Sequence, residues 1–271
     1  MKHDNRFNPL GYADRIWAVS AINGDVEKLR TMHQAIWDDF KVGDRIVYHG
    51  NYFGYTKESN PRETIDELLR FRRYILQPGV LPEDIAYLRG LQEELWQKLL
   101  QIQFAPNPSD ILNWLSKQGL SIALNAYGSS INDGLHAAKS GILGLTKWTN
   151  SLREAIRNSA GHEQFFISLR RAAYTQGING ADHLLFVNSG INTSLPLDQQ
   201  GDSFWLNTKS FDQINAPYQH FNYIIRGSDP RQQGVQVKEN SISLDSGCGF
   251  GGPLTCAQIS NTGQITSLLQ S

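Results

Sequence analysis

Cysteine is scarce in this 271-residue sequence: only Cys248 and Cys256, eight residues apart near the C-terminus. That excludes a small scaffold stapled by several disulfides, and the pair reads as two reduced thiols of a cytoplasmic protein. No apolar run approaches the roughly 18 residues of a membrane span. The opening stretch, MKHDNRFNPLGYADR, lacks the apolar core of a secretory signal. Excess charge of one sign is also missing, with 25 Lys and Arg against 26 Asp and Glu and a formal net charge of −1. No basic field therefore argues for nucleic acid or for an anionic membrane surface. What is present suits a soluble globular protein: 40% hydrophobic and 19% charged residues. The length suits one large α/β domain, or one domain with a substantial insertion.

The pattern along the chain supports the second arrangement. After a short polar leader, Arg15–Ser20 reads as a buried strand, Gly24 as a turn and Asp25–Phe40 as a helix. A strand beginning at Arg45, a helix over Thr64–Leu76 and a strand over Asp84–Arg89 follow. Such alternation indicates a largely parallel sheet. Roughly 80 residues with helical periodicity come next, too many for an ordinary connection. Helices are expected there over Leu95–Phe104, Asp110–Lys117, Ile131–Trp148, Ser151–Asn158 and Glu163–Tyr174. Strands return at His183–Asn188, Tyr223–Arg226, Val235–Lys238 and Ser241–Asp245, with a last one after the glycine-rich DSGCGFGGPL. The expected division is an α/β core over 15–92 and 175–265, interrupted by a helical insertion or cap over 93–174.

Several strands end in a loop containing glycine: SAING, YHGNYFGY, LRGLQEE, VNSGI and RGSDP. In an open α/β sheet ligands bind beyond the carboxyl ends of strands, and glycine there permits tight turns and close backbone approach. These loops, in order, resemble the motifs of the calcineurin-like metallophosphoesterases, specifically bacterial relatives of serine/threonine protein phosphatases. The family shows D-x-H-G, G-D-x-V-D-R-G, G-N-H-E, H-A-G, G-H-T and a late D-x-G. Here stand Ala21-Ile22-Asn23-Gly24, Gly50-Asn51-Tyr52-Phe53-Gly54-Tyr55-Thr56, Gly90-Leu91-Gln92-Glu93, Asn188-Ser189-Gly190, Gly227-Ser228-Asp229-Pro230 and Asp245-Ser246-Gly247. The resemblance covers about two thirds of the chain and implies a β-sandwich flanked by helices (α/β/β/α) with a helical insertion. The family holds two metals with acids, histidines and an asparagine. Those positions are Ala21, Asn23, Asn51, Leu91, Asn188 and Ser228 here. Gln92 replaces the catalytic histidine, and Tyr55 replaces a phosphate-gripping arginine.

Two divalent ions bring four positive charges that a pocket must largely neutralise. Amide and hydroxyl oxygens are neutral and bind more weakly than carboxylates, and Ala21 and Leu91 supply no ligand. Asp44 precedes Asn51 by seven residues, roughly 23 Å along an extended strand. Asp25 belongs to the following helix and Asp245 to a turn. Only Asp229 and His49 lie nearby, and strand alternation turns His49 away from the loop. Lone histidines such as His3, His33, His136, His162, His183 and His220 have no partner at ligand spacing. Ser189 and Ser228 lack a histidine base, and Cys248 has no basic neighbour in sequence to activate it.

The expectation is a pseudophosphatase: no catalytic residue, no metal and no cofactor, with a vestigial polar pocket formed by Ala21, Asn23, Asn51, Leu91, Gln92, Asn188, Ser228 and Asp229. The alternative is a divergent phosphoesterase with one weakly bound divalent metal, for which Asp229, His49, Gln92 and Glu93 are the residual candidates and Arg89 and Arg226 the nearest cations. A small polar or phosphorylated ligand is one expected partner, since the glycine turn before Asp25 opens a helix N-terminus. A protein bound through the helical insertion, which carries Trp96, Trp114 and Trp148, is the other. No nucleic-acid or membrane partner is expected.

Overall fold

The computed structural model describes residues 4–177, 183–206 and 208–271, so His3 lies outside them. The strands are β1 (Phe7–Gly11), β2 (Arg15–Val19), β3 (Arg45–Tyr48), β4 (Ile85–Tyr87), β5 (Ala172–Thr175), β6 (Leu184–Val187), β7 (Tyr223–Arg226), β8 (Gln236–Val237), β9 (Ser241–Ser243), β10 (Thr255–Ser260) and β11 (Ile265–Gln270). The helices are α1 (Val26–Asp39), α2 (Pro61–Ile75), α3 (Leu91–Leu99), α4 (Pro108–Lys117), α5 (Leu120–Ala126), α6 (Ile131–Lys139), α7 (Gly141–Arg157), α8 (His162–Ser168), α9 (Ser203–Leu206) and α10 (Thr208–Phe211). A five-stranded sheet runs β11-β10-β2-β3-β4 and a six-stranded sheet runs β1-β5-β6-β7-β9-β8. The expected α/β sandwich flanked by helices is therefore present.

Period-2 alternation divides each strand between two cores. Ile16, Ala18, Val47 and Ala86 meet Ala173, Leu184, Phe186, Ile225 and Ile242 between the sheets. Trp17, Val19, Ile46 and Tyr48 point the other way, into α1, α2 and the helical segment. Leu185, Val187 and Ile224 pack outward under Phe204, Trp205 and Phe211. Both faces are buried, so the strands read as continuous apolar runs. Each large side chain removed from water contributes about 1.5–3 kcal/mol.

The parallel parts are β2-β3-β4 and β6-β7-β9, while β10 and β11 run antiparallel to their neighbours and β5 antiparallel to β6. The central sheet expected to be largely parallel is mixed, and so is the second sheet of the sandwich. The sheet-forming chain also exceeds 15–92 and 175–265. The leader contains β1, paired in parallel with β5 at Ala172–Thr175, inside the stretch expected to be a helix through Tyr174. Strand β11 runs on to Gln270. The expected helix break near Asn150 falls instead at Ser140-Gly141, where Gly141 takes φ +69°, a left-handed value glycine adopts without strain. In the helical segment Trp96 and Trp148 are buried and Trp114 is half exposed.

Candidate functional site

The carboxyl ends of β2, β3, β4, β6 and β7 converge as the glycine loops suggested. Ala21 N–H donates to the Gly227 carbonyl (2.8 Å), tying the β2 loop of one sheet to the β7 loop of the other. Asn23 N–H donates to the Asn51 carbonyl at 2.7 Å. Asn23 and Asn51 both have positive φ, +51° and +57°, which asparagine tolerates better than most side chains.

The side chains of Asn51, Gln92, Asn188 and Ser228 are each held by a partner inside the protein. Asn51 Nδ2 donates to Ser228 Oγ at 3.2 Å. Asn188 Nδ2 donates to the His49 carbonyl, while its Oδ1 accepts from Ser189 Oγ at 3.0 Å. Gln92 forms a two-way amide pair with Gly54: Gly54 N–H donates to Oε1 (2.8 Å), and Nε2 donates to the Gly54 carbonyl (2.7 Å). The Glu93 carboxylate accepts from the N–H groups of Asn51 (3.0 Å), Tyr52 (2.8 Å) and Gly90 (2.8 Å). Burial raises its carboxyl above the ordinary range, and these amides offset that only in part. A Cβ at Gly90 would stand 2.2 Å from Asn51 Oδ1 and 2.9 Å from Asn188 Nδ2, so the loops meet in van der Waals contact. Ala21, Asn23, Asn51, Gln92 and Asn188 are all buried. The strand ends are packed shut.

The remaining candidates point elsewhere. Asp229 is buried against Arg226 (2.5 Å) and Arg231 (3.0 Å) and does not join the cluster. His49 is fully buried, its Nδ1 2.7 Å from the Val19 carbonyl and its ring against Phe186. Burial drives its pKa down to about 4, so it is neutral at physiological pH. Tyr55 packs against Phe250, and burial raises its phenol. Asp44 binds Arg15 and Trp17 at the opposite end of the sheet. Burial pushes the Cys248 thiol up to about 12, and its Sγ donates to the Ile22 carbonyl at 3.1 Å, so it is no activated nucleophile. The rings of His183 and His220 do meet, 5.1 Å apart, which their spacing did not reveal.

Metal chemistry fails a test of donors. Among the described residues no group of three or more His, Cys, Asp or Glu is placed to hold an ion. Two amide oxygens in the cluster, Asn23 Oδ1 and Asn51 Oδ1, are buried without a hydrogen-bond partner. The one carboxylate beside these amides, Glu93, is turned onto three backbone N–H groups, and neutral amides alone do not offset a divalent charge, so a dinuclear centre does not fit these residues. Beside the sealed ends lies a cavity of about 680 Å³ lined by Asn23, Asp25, Glu27, Glu58 and Phe250. Its acids make it unfavourable for a phosphate. The α1 N-terminus is already capped, since Asp25 accepts from Lys28 N–H (3.2 Å) and pairs with its ammonium at 2.5 Å.

No family model and no curated protein matches the chain. Solved structures do match over nearly its whole length. A candidate diadenosine tetraphosphatase aligns over 97% of this chain and 98% of its own, with TM-score 0.55 and 16% identity. A cold-active protein tyrosine phosphatase aligns over 97% and 80%, with TM-score 0.53 and 15% identity. A structure of such an enzyme from a psychrophilic Shewanella species aligns over 97% and 82%, with TM-score 0.50 and 15% identity. The fold is that of the calcineurin-like phosphoesterases. Identities this low carry the fold and nothing of the activity.

Proposed function

We propose that this chain is a degenerate member of the bacterial serine/threonine phosphatase-like branch, a pseudophosphatase that uses the phosphoesterase scaffold for binding or regulation. The observation that carries the reading is the fate of the ligand positions. Ala21 and Leu91 cannot coordinate a metal, while Asn51, Gln92, Asn188 and Ser228 bind one another or the backbone. A site that catalyses phosphoryl transfer needs charge aimed at the transferring oxygens and room for them. Here the loops meet in van der Waals contact at Gly90, and the cavity beside Asn23 is lined by acids rather than cations. The helical segment, with Trp114 half exposed, is the face proposed for a protein partner.

The test is direct. Purified protein is assayed for metal by elemental analysis and for hydrolysis of an aryl phosphate with and without Mn²⁺. Substoichiometric metal and no turnover above a buffer blank are expected. One or two metals per chain together with Mn²⁺-dependent turnover would sink the proposal and restore the divergent phosphoesterase.

A further inference from the structure

A second cavity, of about 440 Å³, lies between α3, α7 and α8, with Arg89 and Glu93 from the β4 end among its lining. Its volume falls in the range of small-molecule sites, ~300–1,000 Å³. Trp96, Leu100, Ile156, Phe166 and Leu169 supply an apolar wall. The indole N–H of Trp96 is buried and has no acceptor among the described residues.

The charged groups around it are unevenly paired. Glu93 is tied to three backbone amides. Arg89 pairs with Glu94 at 3.2 Å. Arg153 meets only neutral oxygens: Thr149 Oγ1 (3.3 Å), Asn150 Oδ1 (3.0 Å) and the Leu100 carbonyl (2.5 Å). Arg157 lines the cavity and is exposed, and its side chain makes no ion pair or hydrogen bond among the described residues. Just outside, Arg170 rests on the carbonyls of Ile167 (3.0 Å) and Leu169 (3.2 Å). Burial, and then the nearby Arg89, disfavour its positive charge. Glu163 is the one acid of the lining not bound to backbone. Three guanidiniums thus stand at or beside an apolar cavity without a carboxylate of their own.

We infer that this cavity binds a small organic anion with an apolar body: a carboxylate or phosphate head at the arginines and a hydrocarbon or aromatic body against Trp96 and Phe166. Arginine suits both heads, since its planar fork matches their paired oxygens. The apolar wall supplies affinity that a bare inorganic ion cannot gain. The inference does not depend on whether the strand ends are catalytic.

The experiment uses the full chain and three probes of equal length, octanoate, octyl phosphate and neutral octan-1-ol, followed by calorimetry and tryptophan fluorescence. Saturable binding of one anion per chain is expected, with octanol weaker by about tenfold or more, a difference of about 1.4 kcal/mol. Tighter binding of octyl phosphate assigns a phosphate head, and tighter binding of octanoate a carboxylate. Arg157→Ala, at an exposed and unpaired position, is expected to weaken both anions several-fold while leaving the melting temperature unchanged; Arg153→Ala provides a second reading. Absence of saturable binding by either anion, octanol binding as well as they do, or undiminished affinity in both arginine variants would overturn the inference.

Discussion

Between Arg226 and Asp229 the chain serves two neighbouring regions that solve the burial of polar groups in opposite ways. Gly227 and Ser228 join the strand-end cluster, where Asn23, Asn51, Gln92 and Asn188 are buried as neutral amides. Arg226 and Asp229, one residue away on either side, form a buried charged network. Arg226 donates to Asp229 and to Ser243 Oγ (3.0 Å) and lies over the Phe211 ring at 4.2 Å. Arg231 joins Asp229 to Asp212, and Asp245 accepts from Asp229 N–H at 2.8 Å. One region of the sandwich edge keeps its carboxylates because guanidiniums come with them. The other has no cation and no carboxylate in the cluster except Glu93, which three amides stabilise. A buried charge is kept where a counter-charge, or a set of backbone amides, is built in to meet it.

The comparison is broken most severely by removing a counter-charge. Arg226→Ala strands Asp229 in the interior beside an Arg231 that is half exposed. A loss of ~3–5 kcal/mol in urea-unfolding stability is expected, the usual cost of orphaning a buried partner. A loss below about 1 kcal/mol would mean that Arg231 alone neutralises Asp229 and that the network is no more than a surface pair.

The reverse experiment places a charge where none is compensated. Asn51→Asp places an acid at a buried position facing Ser228 and Gly90. It is expected to cost roughly 2–4 kcal/mol at pH 7.5 and less at pH 5, where the new carboxyl is protonated. Added Mn²⁺ is not expected to recover the loss, because Ala21, Leu91 and Ser228 still offer too few donors. Recovery of the melting temperature by Mn²⁺ would show that one acid suffices to rebuild a metal site.

Much of this was legible in the sequence, and the illegible parts share a cause. The strand-end glycines located the site because close approach leaves a signature in one residue type: Gly90 and Gly227 stand where a Cβ would strike Asn51 or His49. The motif positions, read as Ala21, Asn23, Asn51, Leu91, Asn188 and Ser228, led to the expectation of no metal centre. They did not show that the amides would bind one another, since Asn51 finds Ser228 177 residues later. The polar leader FNPLG is a strand only because Ala172–Thr175 runs beside it, and neither segment carries strand alternation strong enough to read alone. Asp229 looked like a free acid in the motif because Arg231, two residues on, and Arg226 meet it through a loop with no fixed period. The arginines of the helical cavity were hidden differently. Arg153 and Arg157 sit one turn apart on α7 and look like an ordinary solvated face until α3 and α8 close around them.

The smallest expected effect concerns the acid between the two regions. Asp245 accepts from Gly247 N–H (2.9 Å) and Asp229 N–H (2.8 Å) and is buried. Burial, opposed by these amides, pushes its pKa up to about 6. An unfolded aspartate titrates near ~3.9, so between about pH 4 and 6 the folded chain holds a proton that the unfolded chain has lost. The folded state therefore binds more protons in that window, and the contribution of Asp245 to stability falls as pH rises through it. The cost is complete above pH ~6 and on the order of 1–3 kcal/mol. Asp245→Asn removes this titration whatever it does to the baseline. The difference in unfolding free energy, wild type minus variant, is expected to decline from pH 4 to pH 6 and then stay level. A difference that rises over the same interval would place the Asp245 carboxyl with the guanidinium-compensated group of Asp229, and the boundary between the two regions would lie on its far side.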